Sequence, residues 1–536
     1  MNKTRLLSLV AIVSTLPVAG CGKVPGGGEN VDSTKAQLTI STYDGGVGDQ
    51  WLKNAAKIFE EKNQNRTDFE EGKTGVQIQI QIDRSSGGEK LEYNELVKDI
   101  YFTENVDYYV LTNMKKLADI TDILTTSNED DGGKKIIDKI DVNLKDFMNR
   151  DGKYYAVPFY DCIYGLVYDK DLFAQKSFYM KDDGSFTNKE SEFGTGPNGV
   201  KGDWDDGLPK TYDQFKTMME RMVNSNVIPF TYSSGNSTEY TARALSSFYS
   251  DDEGYYDTNL NYTFNGTAHN IVTAINEGVA VTEEVEITPA NGYKLRSQAG
   301  LYNALYFARE ILTKKSDNYR GYPFNYDVQS AFINNKRIGG SNKPIAMMFE
   351  GTWWENEASN AFDEARARGD DSFNYGLMAI PKSDESKIGP ATFMNLNESY
   401  GFINANAKNM KLAKEFFSFL HTDEQLRAFT LETNMTRGLS YSFSAEEKAQ
   451  LSSYARDLVS VKESEHVNII YPYSGLDFFV DNGSTFAVQT WHWSTKKYNT
   501  ENPVIKFIDD KSLTAEQYFN DHASMLTQDD WNKIIK

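Results

Sequence analysis

Apolar and polar positions change period in a definite order near the start of the chain. Leu38-Thr39-Ile40-Ser41-Thr42 alternates, the pattern of a strand with one buried face. Gly45, Gly46 and Gly48 break it, and Trp51, Leu52, Ala55, Ile58 and Phe59 then fall on one face of a 3.6-residue helix. The run VQIQIQI at 76–82 returns to strict alternation, with an apolar face and a glutamine face. Strand, helix and strand at this spacing predict a βαβ unit, and with it an α/β fold on a largely parallel sheet. Further helix starts are marked by a hydroxyl residue followed three positions on by Gln or Glu: Thr211 with Gln214, Thr422 with Gln425, Ser444 with Glu447, Thr514 with Gln517. Phe215, Met218, Met219, Met222 and Val223 supply the apolar face behind the first of them. Residues 174–208 are rich in Gly and Asp without a period, which predicts a long surface excursion. There is no internal repeat of solenoid length.

The first residues follow another pattern. Lys3 and Arg5 precede an apolar run, Leu6 to Val18, of 13 residues. A membrane-spanning helix needs ~20, so the run reads as an export signal. It ends in LPVAGC, and Cys21 and Cys162 are the only cysteines in the chain. Leu16–Cys21 resembles the lipobox of bacterial lipoproteins, in which the cysteine thiol carries diacylglycerol and becomes the first residue. The sulfur is needed as a nucleophile. Two acyl chains, at ~0.8 kcal/mol per buried CH₂, make a lasting anchor where one would not. The alternative is an ordinary signal with a coincidental cysteine. Residues 1–20 are thus expected to be a lipoprotein signal peptide. Residues 21–37 are the acylated cysteine and a Gly-rich flexible tether reaching ~20–25 Å.

Composition narrows the function classes. At 536 residues the chain allows two to four domains and an ample core. Formal net charge is −21, or −23 once Lys3 and Arg5 leave with the signal. Such acidity argues against nucleic acid and anionic lipid surfaces as partners. With Cys21 acylated, Cys162 has no disulfide partner; a chain this long can be held by its core alone. Five histidines and one thiol do not support a zinc site built from His and Cys. Asp203-Trp-Asp205-Asp206-Gly207 lacks the ligand spacing of a calcium loop. No metal and no cofactor are expected. The 32 Tyr are apolar plates with polar tips, suited to a recognition surface.

Ordered segments across most of the chain carry a family resemblance. They are GGVGDQWLKNAAKIFEEKN (45–63), GKYYAVPFYDCIYGLVYDKDLF (152–173), PKTYDQF (209–215), AMMFEGTWWE (346–355) and YGFINANAKNMKLAKEFFSFLHTDEQLRAF (400–429). The second resembles the hinge segment "yavPy … glvYNkdlf", and the third "P-x-T-[WY]-[DE]-[DEQ]-[FL]", of the family 1 extracellular solute-binding proteins. These are lipoprotein receptors of ABC importers that mostly carry sugars. Residues 174–208 and Asp169, where Asn is usual, depart from the family pattern and bear on substrate more than on fold.

The resemblance implies a two-lobed α/β fold of the periplasmic-binding-protein type, with ligand held in a cleft between lobes joined by crossing strands. The chain would cross near Pro158–Tyr164, return near Gly401–Asn404 and cross again around Thr436. Lobe 1 is then residues 38–160 and 402–434, and lobe 2 residues 161–401 and 435–536. Open α/β sheets bind ligands at the carboxyl ends of their strands, which agrees with the βαβ reading.

Candidate contacts follow from motif matches. Trp353 resembles the family's cleft tryptophan, whose indole covers the apolar face of a sugar ring. Trp354 would point elsewhere in an extended segment, so at most one of the pair stacks in a given subsite; core packing is the alternative for both. Tyr43 and Asp44 end the first strand, where a carboxylate accepts strong hydrogen bonds from vicinal hydroxyls, or where Asp44 caps the next turn. Tyr160 and Asp161 lie in the first crossing. Cys162 beside them reads as a buried space-filling thiol. Glu398 precedes the second crossing, and Arg437 follows the third, either reaching the cleft or bridging the lobes. Trp491 and Trp493, and Tyr232 after the apolar stretch ending at Phe230, are further stacking candidates or core residues. No catalytic residue is assigned.

The expected function is that of a monomeric lipid-anchored receptor on the outer face of a bacterial cell membrane. It would capture a carbohydrate, an oligosaccharide for preference, and deliver it to ABC permease subunits. The rivals are a surface glycoside hydrolase using Glu350, and a peptide receptor of the same fold.

Overall fold

A computed structural model describes residues 31–536, apart from 84–90, 92–93, 105, 335–342, 397–398, 477–491, 499–501 and 536. Cys21, Glu398 and Trp491, and the signal and tether up to residue 30, lie outside the described residues.

The first predicted strand forms over Ala36–Tyr43, with alternate residues buried as its pattern requires. The helix that follows, Gln50–Lys62, buries Trp51, Leu52, Ala55, Ala56 and Phe59. Ile58 falls on the margin of that face and is 36% exposed. The glutamine-rich strand Val76–Asp83 pairs parallel to the first from Ala36↔Val76 onward, completing the βαβ unit. Ile100–Glu104 adds a parallel strand on the other side. Ser399–Ile403 joins antiparallel to that strand, and Val157–Pro158 closes the five-stranded sheet. The second passage between sheets was expected near Gly401–Asn404; Ser399–Ile403 lies wholly within this first sheet.

A second five-stranded sheet contains, in order, Tyr319–Tyr322, Ile228–Ser233, Ile345–Gly351, Tyr164–Asp169 and Tyr375–Leu377. The first three are mutually parallel and the last two run antiparallel to their neighbours in the sheet. Most of its strands are buried along their whole length, which explains why they are apolar runs without alternation.

The capping signals locate helix starts correctly but differ in detail. Ser444 and Thr514 form full reciprocal boxes. Thr211 accepts from the Gln214 amide, whereas the Gln214 side chain turns to the backbone N–H of Lys210. Asp169 departs from the family's Asn without consequence for ligand choice: its carboxylate caps the helix Lys170–Lys176 by accepting from Leu172 N at 2.9 Å. Asp and Asn are equivalent caps, so this departure belongs to the fold. Residues 174–208 are also more than a surface excursion. Tyr179–Met180 and Phe186–Thr187 pair as a short ribbon, and Asn198 and Asp205 are buried with Asp205 accepting from Asn198 N. A long hairpin, Gly266–Asn276 with Val279–Ile287, stands largely exposed and had no counterpart in the sequence reading.

Between the sheets the chain passes through buried segments outside any ladder. Phe159 N donates to Ser399 O at 3.1 Å, Asp161 N to Thr436 O at 2.9 Å and Cys162 N to Asn395 Oδ1 at 2.9 Å. The Asp161 carboxylate, 2% exposed, accepts from Asn395 Nδ2, Thr436 Oγ1 and Lys462 Nζ, each at 2.6 Å. Removing one partner of a buried, hydrogen-bonded ion pair leaves the other uncompensated, at about 3–5 kcal/mol. Asp161→Ala is therefore expected to lower the free energy of unfolding in urea by about that amount. A loss under about 1 kcal/mol, the scale of an exposed pair, would mean that the junction does not hold the passages together.

Candidate functional site

A cavity of about 240 Å³ lies between the two sheets. Tyr43, Gly45 and Glu104 reach it from the ends of the parallel strands Ala36–Tyr43 and Ile100–Glu104, while Tyr160 and Cys162 line it from the first crossing. From the second sheet come Tyr164, at the start of its strand, and Trp353 and Glu357, just beyond the end of Ile345–Gly351. Glu239, Tyr240 and Arg243 stand on the first turns of the helix Glu239–Glu253.

Aromatic rings form the frame. The Trp353 indole meets Tyr164 edge-on at 4.9 Å and 83°, and Tyr240 at 5.8 Å and 82°, with Tyr160 at 6.4 Å. Its Nε1–H donates to the Tyr240 hydroxyl at 3.3 Å. The ring folds back over Gly351, where a Cβ would sit 2.4 Å from Trp353 Cη2. Only glycine permits that approach.

Polar groups complete the wall. The Tyr160 hydroxyl donates to the Glu104 carboxylate. The Arg243 guanidinium stacks on the Tyr164 ring at 5.1 Å and donates to its hydroxyl. Burial, then the carboxylates of Glu104 and Glu357, push the Tyr43 phenol up to about 12, so it remains a neutral hydroxyl able to donate and accept. Glu357 shares its donors with the fully buried Glu350: Asn325 Nδ2 lies 2.9 Å from Glu350 and 3.2 Å from Glu357, and Gln329 Nε2 3.0 and 2.9 Å. Asn325 and Gln329 are one turn apart on the helix Asn325–Ile333. Glu350 also accepts from Gly351 N at 3.1 Å. Burial, followed by Glu357, holds the Glu350 carboxyl well above the ordinary range; loss of water raises that of Glu357 as well, although the residue is accessible from the cavity.

Of the residues singled out in the sequence, the structure brings Tyr43, Tyr160 and Trp353 together on this wall. It places the others elsewhere. Trp354 is fully buried against Phe362, Tyr375 and Tyr454, because the chain turns into a helix at Trp353 and sends the two indoles apart. Asp161 holds the junction described above. Arg437 is fully buried, its Nε donating to Phe159 O at 2.5 Å and its guanidinium packed among Trp51, Phe102, Phe159 and Phe429. Tyr232 packs against Tyr319 within the second sheet, and Trp493 is buried with Nε1 donating to Ala242 O and Ser246 Oγ. Asp44 is half-buried, its carbonyl closing the turn onto Val47 and Gly48.

Glu104, Tyr164, Glu239, Tyr240, Arg243 and Glu357 were not foreseen. Two spacings signalled some of them. Glu357 stands one helical turn after Trp353, and Glu239 and Arg243 stand four apart on one helix. Among the described residues no group of three or more His, Cys, Asp and Glu is placed to hold a metal ion.

The sequence profile of the bacterial extracellular solute-binding proteins matches residues 48–426, most of the chain. The chain belongs to this family. No curated protein sequence matches it. Among solved structures it is similar to apo RafE from Streptococcus pneumoniae, with TM-score 0.54 and 15% identity over 95% of this chain and 100% of that one. RafE in complex with raffinose superposes with TM-score 0.53 at 14% identity, covering 93% and 100% of the two chains. The cyclic alpha-maltosyl-1,6-maltose binding protein from Arthrobacter globiformis gives 0.53 at 14% identity, over 94% and 99%. At these identities the likeness is one of fold. This solute-binding protein therefore places its cavity on the fold of known receptors, with strand ends as its walls.

Gly351→Ala is expected to displace the Trp353 indole and destabilise the protein by about 1–3 kcal/mol, as overpacking does. Chemical unfolding measures it. Stability equal to the parent would show that the ring does not depend on that glycine.

Proposed function

We propose that this solute-binding protein captures a carbohydrate in the cavity between its lobes and delivers it to the permease of an ABC importer. The observation that carries the reading is the Trp353 indole, framed edge-on by three tyrosines beside carboxylate acceptors. A flat indole covers the apolar face of a pyranose, and carboxylates accept paired hydroxyl bonds. The neighbours in the fold that bind raffinose and cyclic maltosyl-maltose support a sugar ligand. The cavity volume of about 240 Å³ lies just under the ~300–1,000 Å³ of typical small-molecule sites. It accommodates a terminal ring, with the rest of an oligosaccharide leaving through the mouth. In this reading each lobe is built on one of the two five-stranded sheets, residues 38–160 with 399–434 on the first and residues 161–398 with 435–536 on the second, and closure about the crossings holds the ligand. A micromolar ligand needs a net −8 kcal/mol or so, within reach of a stacked ring and a few hydroxyl bonds.

Catalysis forms no part of this reading. The rival hydrolase was to use Glu350, which is fully buried behind Glu357 and does not line the cavity. Acylation of Cys21 and the tether behind it would keep the receptor beside its permease and raise its local concentration there.

Titration calorimetry with a panel of oligosaccharides and of peptides tests the ligand class: saccharide binding that Trp353→Ala weakens by tenfold or more, about 1.4 kcal/mol, is expected. Binding confined to peptides would overturn it, and release of reducing sugar that Glu350→Gln abolishes would establish the hydrolase instead. Cys21→Ser is expected to leave the exported protein free of the membrane, and a variant still anchored there would refute lipidation at this residue.

A further inference from the structure

The cavity wall carries more negative charge than recognition of hydroxyls requires. Glu104, Glu239 and Glu357 line it, and Glu350 lies directly behind Glu357. Arg243, the cation among the lining residues, is engaged with the ring and hydroxyl of Tyr164. The phenols of Tyr43, Tyr240 and Tyr454 face the Glu350–Glu357 pair, and Asp44 and Glu355 add acidity around them. Among the described residues no Lys or Arg contacts either carboxyl of the pair.

The pair is stabilised by neutral donors alone. Asn325 and Gln329 divide their amide hydrogens between the two carboxyls, and Asn325 leaves its own oxygen buried without an acceptor role. Two carboxylates sharing one set of neutral donors cannot both ionise cheaply, so the empty pair retains a proton. A carboxyl pair without a counter-cation, with Glu350 buried and Glu357 accessible in a cavity walled by indole and phenol rings, is the environment that a cation fills best. Ring faces attract it, and a carboxylate completes the pair.

Resting on the carbohydrate reading of this cavity, we propose that its preferred ligand is a saccharide bearing a protonated amine, placed beside Glu357 and over the Trp353–Tyr240 rings. The ammonium takes the place of the proton shared by Glu357 and Glu350, and that proton passes to solvent. Ligand uptake is thus a cation-for-proton exchange.

Calorimetry with paired sugars decides it. Glucosamine oligomers, their N-acetylated counterparts and glucose oligomers of the same length are titrated at pH 6.5 in two buffers of different ionisation enthalpy. The amine-bearing member is expected to bind about tenfold tighter or better than its neutral partners, as charge-assisted bonds outweigh neutral ones. Its affinity falls with added salt, and binding releases protons to the buffer. Glu357→Gln reduces the preference for the amine toward unity. Should that variant fail to fold, proton release and salt dependence in the parent protein decide alone. Neutral sugars binding as tightly as the amine, with no proton released, would overturn this inference and leave the carbohydrate reading standing. Failure of every saccharide, charged and neutral, would overturn both.

Discussion

The Asp161 carboxylate is the point on which the two halves of the molecule are registered. It takes Lys462, Thr436 and Asn395 at once: Thr436 and Asn395 stand in two other passages of the chain, and Lys462 on the helix Ser453–Glu463. The passages are buried and lie outside any ladder, so their backbone groups need partners that no sheet supplies. Side chains supply several of them, as when Asn395 Oδ1 accepts from Cys162 N and Ser399 Oγ from Tyr160 N. In an extended segment neighbours point to opposite sides. With the Asp161 side chain turned into the junction, Tyr160 and Cys162 are turned into the cavity. Asp161 thus reaches the cavity only through its neighbours.

Much of the fold was readable because its signals are local. The switch from period two to 3.6 and back within residues 38–82 is a βαβ unit, and hydroxyl caps mark helix starts even where the reciprocal bond goes elsewhere, as at Thr211. The cavity was less readable, for a physical reason. Periodicity and aromatic content say which side chains leave water, but a ring buried in a core and a ring buried against a cavity are the same residue to that test. Trp353, Trp354, Trp493 and Tyr232 are all nearly inaccessible, and only the first lines the cavity. Trp353 and Trp354 stand at a helix start, where consecutive side chains point ~100° apart, so one indole lines the cavity and the other enters the core. Glu104 comes from the first sheet and Glu239 and Arg243 from a helix more than a hundred residues later in the chain, so only the tertiary fold brings them to one wall.

The aromatic frame is held from several sides. Gly351 lets the Trp353 ring lie back on the strand end, and the edges of Tyr164 and Tyr240 then fix its plane. Edge-on contacts use the positive rim of one ring against the negative face of another. A ring held in advance has little freedom left to lose when another group packs on it.

The Glu350–Glu357 pair runs against stability. Hydrophobic residues of the same volume would pack behind the cavity at lower cost, because burying like charges without a cation is unfavourable on both counts, desolvation and repulsion. Asn325 and Gln329 reduce that cost but do not remove it, and Asn325 adds to it by leaving its oxygen without a partner. Perturbed carboxyls held in a cavity against the interest of the fold mark places where a ligand completes the arrangement. In the junction the opposite choice is made: Asp161 is given its lysine within the chain. The molecule thus contains one buried carboxylate that is satisfied internally, at the junction of the two sheets, and one carboxyl pair with no Lys or Arg partner among the described residues, at the wall of the cavity.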